Sequence, residues 1–261
     1  MKKVLFTGAR SGIAHATIKR FLDKEYLIYV TVRTDKQLEL IKETYQDYKN
    51  VICLKLDITN KEDLKILETL DIDILVNNAA IGEGGSMAEI PIDKIRRNFE
   101  VNVFSTFAVI QIVLKKMMQK GEGRIINVSS LFGVMPYPFL GAYCGSKASL
   151  SKMTTLLKKE LKLVNSNIQV ILVEPGLYHT GFNQVMLNNK YDWMHTDSYF
   201  SKEIENIRMC ENKVFNLLEK TNLNSIVKKL EKAIVSDNPC FIYRAPFSHA
   251  MLTKLYSIFM N

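Results

Sequence analysis

Residues 2–16 read KKVLFTGARSGIAHA, an apolar run that breaks at Thr7-Gly8 and resumes after Gly12 as helix-forming sequence. The run 3–7 reads as a strand buried on both faces, and the residues after it as a tight turn into a helix. Gly8 and Gly12 stand where a Cβ would obstruct either the turn or an anion lying against it. A glycine turn of this kind lets backbone N–H groups and a helix N-terminus approach a pyrophosphate. Thr7 and Ser11 add hydroxyls, and Ile13 opens the helix. The position that lets such a helix pack closest to its strand holds Ala14 instead of glycine, one methyl more.

Working outward, the same alternation repeats. Apolar runs at 26–32, 50–56, 71–78, 123–130, 168–176 and 240–244 are rich in Val, Ile and Leu and end in turn residues. Helical patterns lie between them at 12–24, 35–48, 61–70, 93–119, 142–164, 201–220 and 224–236, with Asp35 and Asn60 as expected N-caps. Strand–helix alternation at this spacing predicts an α/β fold, a Rossmann-type doubly wound parallel sheet in a single domain, 1–261. Residues 177–220 start without periodicity and are read as an excursion over the carboxyl ends of the strands.

Bulk composition bounds the rest. The chain has 261 residues, 47% of them hydrophobic and 24% charged, enough for one large core. No membrane span is expected, and the start lacks the apolar core of an export signal, so a cytoplasmic setting is expected. The four cysteines, Cys53, Cys144, Cys210 and Cys240, are scattered and suggest neither a disulfide framework nor a metal site. The net charge of +8 comes from lysines dispersed along helices, which reads as solvated surface with no nucleic-acid stripe.

Several polar residues fall where ligands bind in open α/β sheets, at strand carboxyl ends. After strand 26–32 comes Arg33, at a place where an acid would hold a ribose 2′-hydroxyl. With Arg10 it offers two guanidinium groups to a 2′-phosphate, which points to NADP (NADPH) rather than NAD. Asp57 and Ile58 follow the next strand, and Asn78, Ala79 and Ala80 the one after. Asn102 stands inside a helical pattern, an unfavourable place for a side chain that competes with the backbone. The sharpest constellation runs from Ser130 to Lys147. Tyr143 and Lys147, four apart on one helix, share a face, and an ammonium beside a phenol is expected to lower the phenol's pKa. Ser130, at the preceding strand end, can hydrogen-bond a substrate oxygen.

In these residues the chain resembles the short-chain dehydrogenase/reductase family, over nearly its whole length. Thr7, Gly8 and Gly12 match the family's glycine turn, with Ala14 the departure. Asn77, Asn78 and Ala79 match its Asn-Asn-Ala-Gly segment, with Ala80 in place of the glycine. Pro175, Gly176 and Thr180 match the Pro-Gly-x-x-x-Thr segment that borders the nicotinamide. The resemblance implies a seven-stranded parallel sheet and hydride transfer between a nicotinamide and a carbonyl or alcohol carbon. It implies Asn102, Ser130, Tyr143 and Lys147 as the catalytic set. Tyr143 would donate the proton, Ser130 would bond the same oxygen, Lys147 would hold the cofactor ribose and Asn102 would position a relay water. It also implies a homodimer or homotetramer through the helices at 93–119 and 142–164.

The aromatic and methionine side chains of 177–220 suit an apolar or steroid-like small molecule. A 3-oxoacyl-(acyl-carrier-protein) reductase, favoured by the basic surface, is the alternative, and a non-catalytic NADP-binding regulator is a further one. The segment 246–261 is apolar at helical spacing and expected to pack as a helix, with His249 structural.

Overall fold

The computed structural model describes residues 1–194 and 198–259. Seven strands form one sheet: β1 (Lys2–Phe6), β2 (Tyr26–Val32), β3 (Val51–Lys55), β4 (Ile74–Asn77), β5 (Glu122–Val128), β6 (Asn167–Pro175) and β7 (Ile242–Ala245). Their spatial order is β3-β2-β1-β4-β5-β6-β7, and every pairing is parallel. The helices are α1 (Gly12–Ile18), α2 (Asp35–Tyr45), α3 (Lys61–Thr69), α4 (Ile92–Phe99), α5 (Thr106–Lys120), α6 (Gly141–Leu163), α7 (Phe182–Met194), α8 (Ile204–Leu218), α9 (Asn224–Val235) and α10 (Phe247–Phe259). The expected doubly wound sheet is therefore present, all seven strands included.

Alternate strand residues feed two cores, one on each face. Val4, Phe6, Ile28, Val30, Val76 and Ile126 pack with Ala14 and Ile18 of α1 and with Ile226 and Leu230 of α9. Leu5, Leu75 and Ile125 point the other way, onto Leu67 of α3 and Val109, Ile110, Val113 and Met117 of α5. Strand order reverses between β1 and β4, and that switch point opens a crevice at the carboxyl ends of the strands.

Three expectations are corrected. Thr34, not Asp35, caps α2: its hydroxyl accepts the N–H of Gln37 at 3.3 Å, while Asp35 occupies the first turn, where a carboxylate favours the helix dipole. The helix expected at 93–119 is not uniform. Between α4 and α5, Glu100–Ser105 form a π-helical turn, closed in part by Thr106 Oγ1 bonding the carbonyl of Val101 at 3.2 Å. The combined helix Ile92–Lys120 is also long and apolar enough, by length and composition, to cross a membrane. Its buried residues Val109, Ile110, Val113 and Met117 lie against the sheet.

The third correction concerns the excursion, which contains α7. Its buried residues Asn183, Met186, Leu187, Lys190, Tyr191 and Met194 do recur at helical spacing. Asn183 and Lys190 interrupt the apolar stripe and hide it from the sequence pattern. Asn183 bonds Glu219 Oε1 at 2.6 Å, and buried Lys190 and Tyr191 both reach Glu211 of α8. The base of the excursion is stapled by two backbone bonds, His179 N–H to Lys220 and Lys220 N–H to Leu177, both 3.0 Å. Residues 195–197 of the excursion lie outside the described residues.

Candidate active site

The crevice at the switch point is a cleft of about 1600 Å³. One wall is the β1–α1 turn. Gly8 and Gly12 have φ of +63° and +71°, a region costly for side chains. A Cβ on Gly8 would lie 2.6 Å from the Cα of Ala79, so the turn and the β4 end touch backbone to backbone. Thr7 explains that contact. Its hydroxyl is buried and accepts the N–H groups of Asn78 at 3.0 Å and Ala79 at 3.1 Å. Asn78 returns the tie by donating to the Gly8 carbonyl at 2.9 Å.

Of the expected cofactor residues, Gly8, Arg10, Ser11, Gly12, Ile13, Arg33, Asp57, Ile58, Asn78, Ala79, Ala80, Tyr143, Lys147, Pro175, Gly176 and Thr180 all line this cleft. Thr7 does not, and acts from behind as the tie just described. Arg10 and Arg33 are exposed at one end, and among the described residues neither forms an ion pair. The Arg33 N–H is held by Gln37 Oε1 at 3.2 Å, and Gln37 itself lines the cleft, a contributor the sequence pattern did not reveal. The cradle fits a dinucleotide: bare glycine backbone faces it, and two free guanidinium groups mark one end. Ala14 is fully buried in the core behind α1, so its methyl fills packing space and does not reach the cleft.

At the other end stand Ser130, Tyr143 and Lys147. Ser130 follows β5, and its Oγ accepts the N–H of Phe132 at 3.1 Å. Tyr143 and Lys147 lie in the first two turns of α6, only 6% and 2% exposed. Lys147 Nζ donates to the carbonyl of Val128 at 3.0 Å and sits 5.9 Å from the Tyr143 ring centroid.

The expected effect of the lysine on the tyrosine is corrected here. Burial raises the Tyr143 phenol well above its ordinary value, and the Ser130 hydroxyl only partly offsets that. The same burial brings the Lys147 ammonium down to about 7. Desolvation of both groups outweighs the field one would exert on the other.

Asn102 is fully buried and outside the cleft. Its Oδ1 accepts the N–H of Ile81 and its Nδ2 donates to the Ile81 carbonyl, both at 2.9 Å, with a further bond to Ser146 Oγ at 3.0 Å. The π-helical turn carries this asparagine, which clamps the loop after β4 to α6 one residue before Lys147. Phe132, Leu177, Phe182 and Met186 add an apolar wall next to Tyr143, with the Phe182 ring 5.7 Å from the Tyr143 ring. Glu83, also unanticipated, lines the cleft with its carboxylate paired to Lys94 and Arg97, each at 3.2 Å.

A parallel sheet with a glycine cradle at its switch point and a Ser-Tyr-Lys cluster beside it defines a nucleotide-dependent oxidoreductase class. The chain belongs to the short chain dehydrogenase family, whose model matches residues 2–190. It is similar to the NADPH-dependent 3-dehydrocapnine reductase of Ornithobacterium rhinotracheale, 30% identical over 67% of this chain and 65% of that one. It is likewise similar to the NADP-dependent 3-hydroxy acid dehydrogenase of Schizosaccharomyces pombe, 32% identical over 70% of this chain and 74% of that one. Among solved structures, a short chain dehydrogenase/reductase from Burkholderia phymatum in complex with NAD superposes with a TM-score of 0.82, at 20% identity over 98% and 93% of the two chains.

Proposed function

We propose that the protein is an NADPH-dependent carbonyl reductase acting on an apolar or amphipathic small molecule. The observation that carries this reading is the convergence, at one end of a dinucleotide-shaped cleft, of Ser130, Tyr143 and Lys147 beside the apolar wall of Phe132, Leu177, Phe182 and Met186. A nicotinamide held along Gly8–Ile13, Asn78–Ala80 and Pro175–Thr180 would supply the hydride. The protein's part is orientation and the proton. Ser130 points its O–H proton at the carbonyl oxygen. Tyr143, kept protonated by burial, donates its phenolic proton to that oxygen as negative charge develops there. Lys147 fixes the tyrosine's surroundings and presents its ammonium to the cofactor ribose. Arg10 and Arg33 take the 2′-phosphate, and Phe182 and Met186 close over the substrate and exclude water.

The test is a panel of ketones, a 3-oxoacyl thioester among them, assayed with NADPH and NADH. Oxidation of NADPH with an apolar ketone, lost in Tyr143→Phe while cofactor binding persists, is the expected result. Turnover that survives Tyr143→Phe removes the proposed acid, and turnover of the thioester alone transfers the reading to an acyl-carrier reductase.

A further inference from the structure

Glu174 follows the apolar run Val170–Val173 on β6, is 1% exposed, and immediately precedes Pro175. It does not line the cleft. Its Oε2 accepts from Arg244 Nε on β7 at 2.6 Å. Its Oε1 lies 3.1 Å from Ser151 Oγ on α6, and that oxygen is 2.8 Å from Ser129 Oγ at the end of β5. Ser129 Oγ reaches the backbone carbonyl of Lys147 at 3.0 Å. The run starts on β7, crosses β6, α6 and β5, and returns to α6 at residue 147. Gly133 presses on the same peptide group: a Cβ there would be 2.9 Å from the Lys147 carbonyl carbon and 3.0 Å from its oxygen. The turn that carries Ser130 is thus seated on the turn that carries Lys147, with no space for adjustment.

Counting protons shows what the carboxylate does. The contacts Glu174–Ser151, Ser151–Ser129 and Ser129–Lys147 require three protons, and the two hydroxyls supply two. Ser151 gives its proton to the charged acceptor, the stronger bond. Ser129 is left to choose between the Ser151 oxygen and the Lys147 carbonyl. We propose that Glu174, through Ser151 and Ser129, is a positioning residue that sets how the Lys147 turn of α6 sits against the Ser130 end of β5. This rests on the reading of Ser130, Tyr143 and Lys147 given above.

The proton count also designs the test. Glu174→Gln keeps an oxygen for Arg244 and offers an N–H to Ser151, so all three contacts are made. Glu174→Leu removes the acceptor, and Ser151→Ala breaks the run while leaving the Arg244 pair intact. Full-length variants are compared for NADPH affinity across neutral pH, steady-state turnover of a ketone from the panel, and thermal unfolding. Losing the Glu174–Ser151 link between β6 and α6 should lower kcat about tenfold in Ser151→Ala and Glu174→Leu, with KM for NADPH little changed. The pH midpoint of NADPH binding, which reports Lys147, should move in both. Glu174→Gln keeps the contact to Ser151 and should hold kcat and the pH midpoint near native values, while losing thermal stability with the Arg244 charge pair. Unchanged kcat and pH midpoint in Ser151→Ala overturn the proposal, as does a Gln variant that behaves like Leu. If Glu174→Leu does not fold, Ser151→Ala decides. If the native protein reduces no ketone, the functional reading fails, and the NADPH midpoint alone still decides the role of Glu174.

Discussion

Lys147 donates from Nζ to the Val128 carbonyl at 3.0 Å, in surroundings that leave its side chain almost without water. Its pKa when folded is about 7, below the ordinary 10.5. Between those values the unfolded chain holds a proton that the folded chain has released, so this group makes stability rise with pH across that window. Below about 7 the cost of burying the charge is present in full. Lys147→Met should therefore stabilise the fold most on the acid side, by on the order of a few kcal/mol, with the gain shrinking as pH climbs toward 10. Denaturant unfolding at a series of pH values measures it; a gain independent of pH contradicts the assignment.

Arg10 and Arg33 make no ion pair among the described residues, and their charge is available to a 2′-phosphate. Arg33→Ala should lower NADPH affinity about tenfold and leave NADH affinity nearly unchanged, with Arg10→Ala doing the same to a lesser degree. Fluorescence titration with both cofactors reads the ratio. If that ratio is the same in the variants, the arginines do not select the cofactor.

Gly8 of the opening turn and Ala14 of α1 should differ in what they do to NADPH binding. Gly8→Ala places a methyl 2.6 Å from the Ala79 backbone at a φ of +63°, which should cost about 1–3 kcal/mol and weaken NADPH binding by tenfold or more. Ala14→Gly only removes a buried methyl and loosens a helix, for about 1 kcal/mol and no change in NADPH affinity. Paired melting and binding measurements distinguish the two.

Asn102→Leu leaves both the N–H and the carbonyl of Ile81 without partners inside the protein. A stability loss of about 2–4 kcal/mol is expected, larger than for Asn102→Asp, which keeps the acceptor for the Ile81 N–H. Equal losses in the two variants would show that the clamp on Ile81 is not what the side chain contributes.

How legible this was depended on the range of the interactions involved. The strands announced themselves because burial on both faces demands unbroken Val, Ile and Leu, and the glycine turn because only glycine tolerates its backbone. Tyr143 and Lys147 were recognisable as a pair from their spacing. The sign of the tyrosine's shift was not, because it depends on how much protein covers both groups. The α2 cap fell one residue from its expected place, since Thr34 and Asp35 are both good candidates and only geometry separates them. Glu174, Glu83 and Lys190 passed unnoticed for one reason: each is a charge made tolerable by partners distant in sequence, Arg244, Arg97 and Glu211. The helix α7 was hidden by that same device.

The π-helical turn at Glu100–Ser105 can also be seen as one surplus residue in an otherwise regular rod. An α-helix rotates about 100° per residue, so deleting a single residue here would return the rod to standard winding and swing Asn102 away from Ile81. The shortened rod would have better hydrogen bonds and no grip on the loop beneath it. In this segment, helix regularity is given up so that one amide side chain can face the loop after β4.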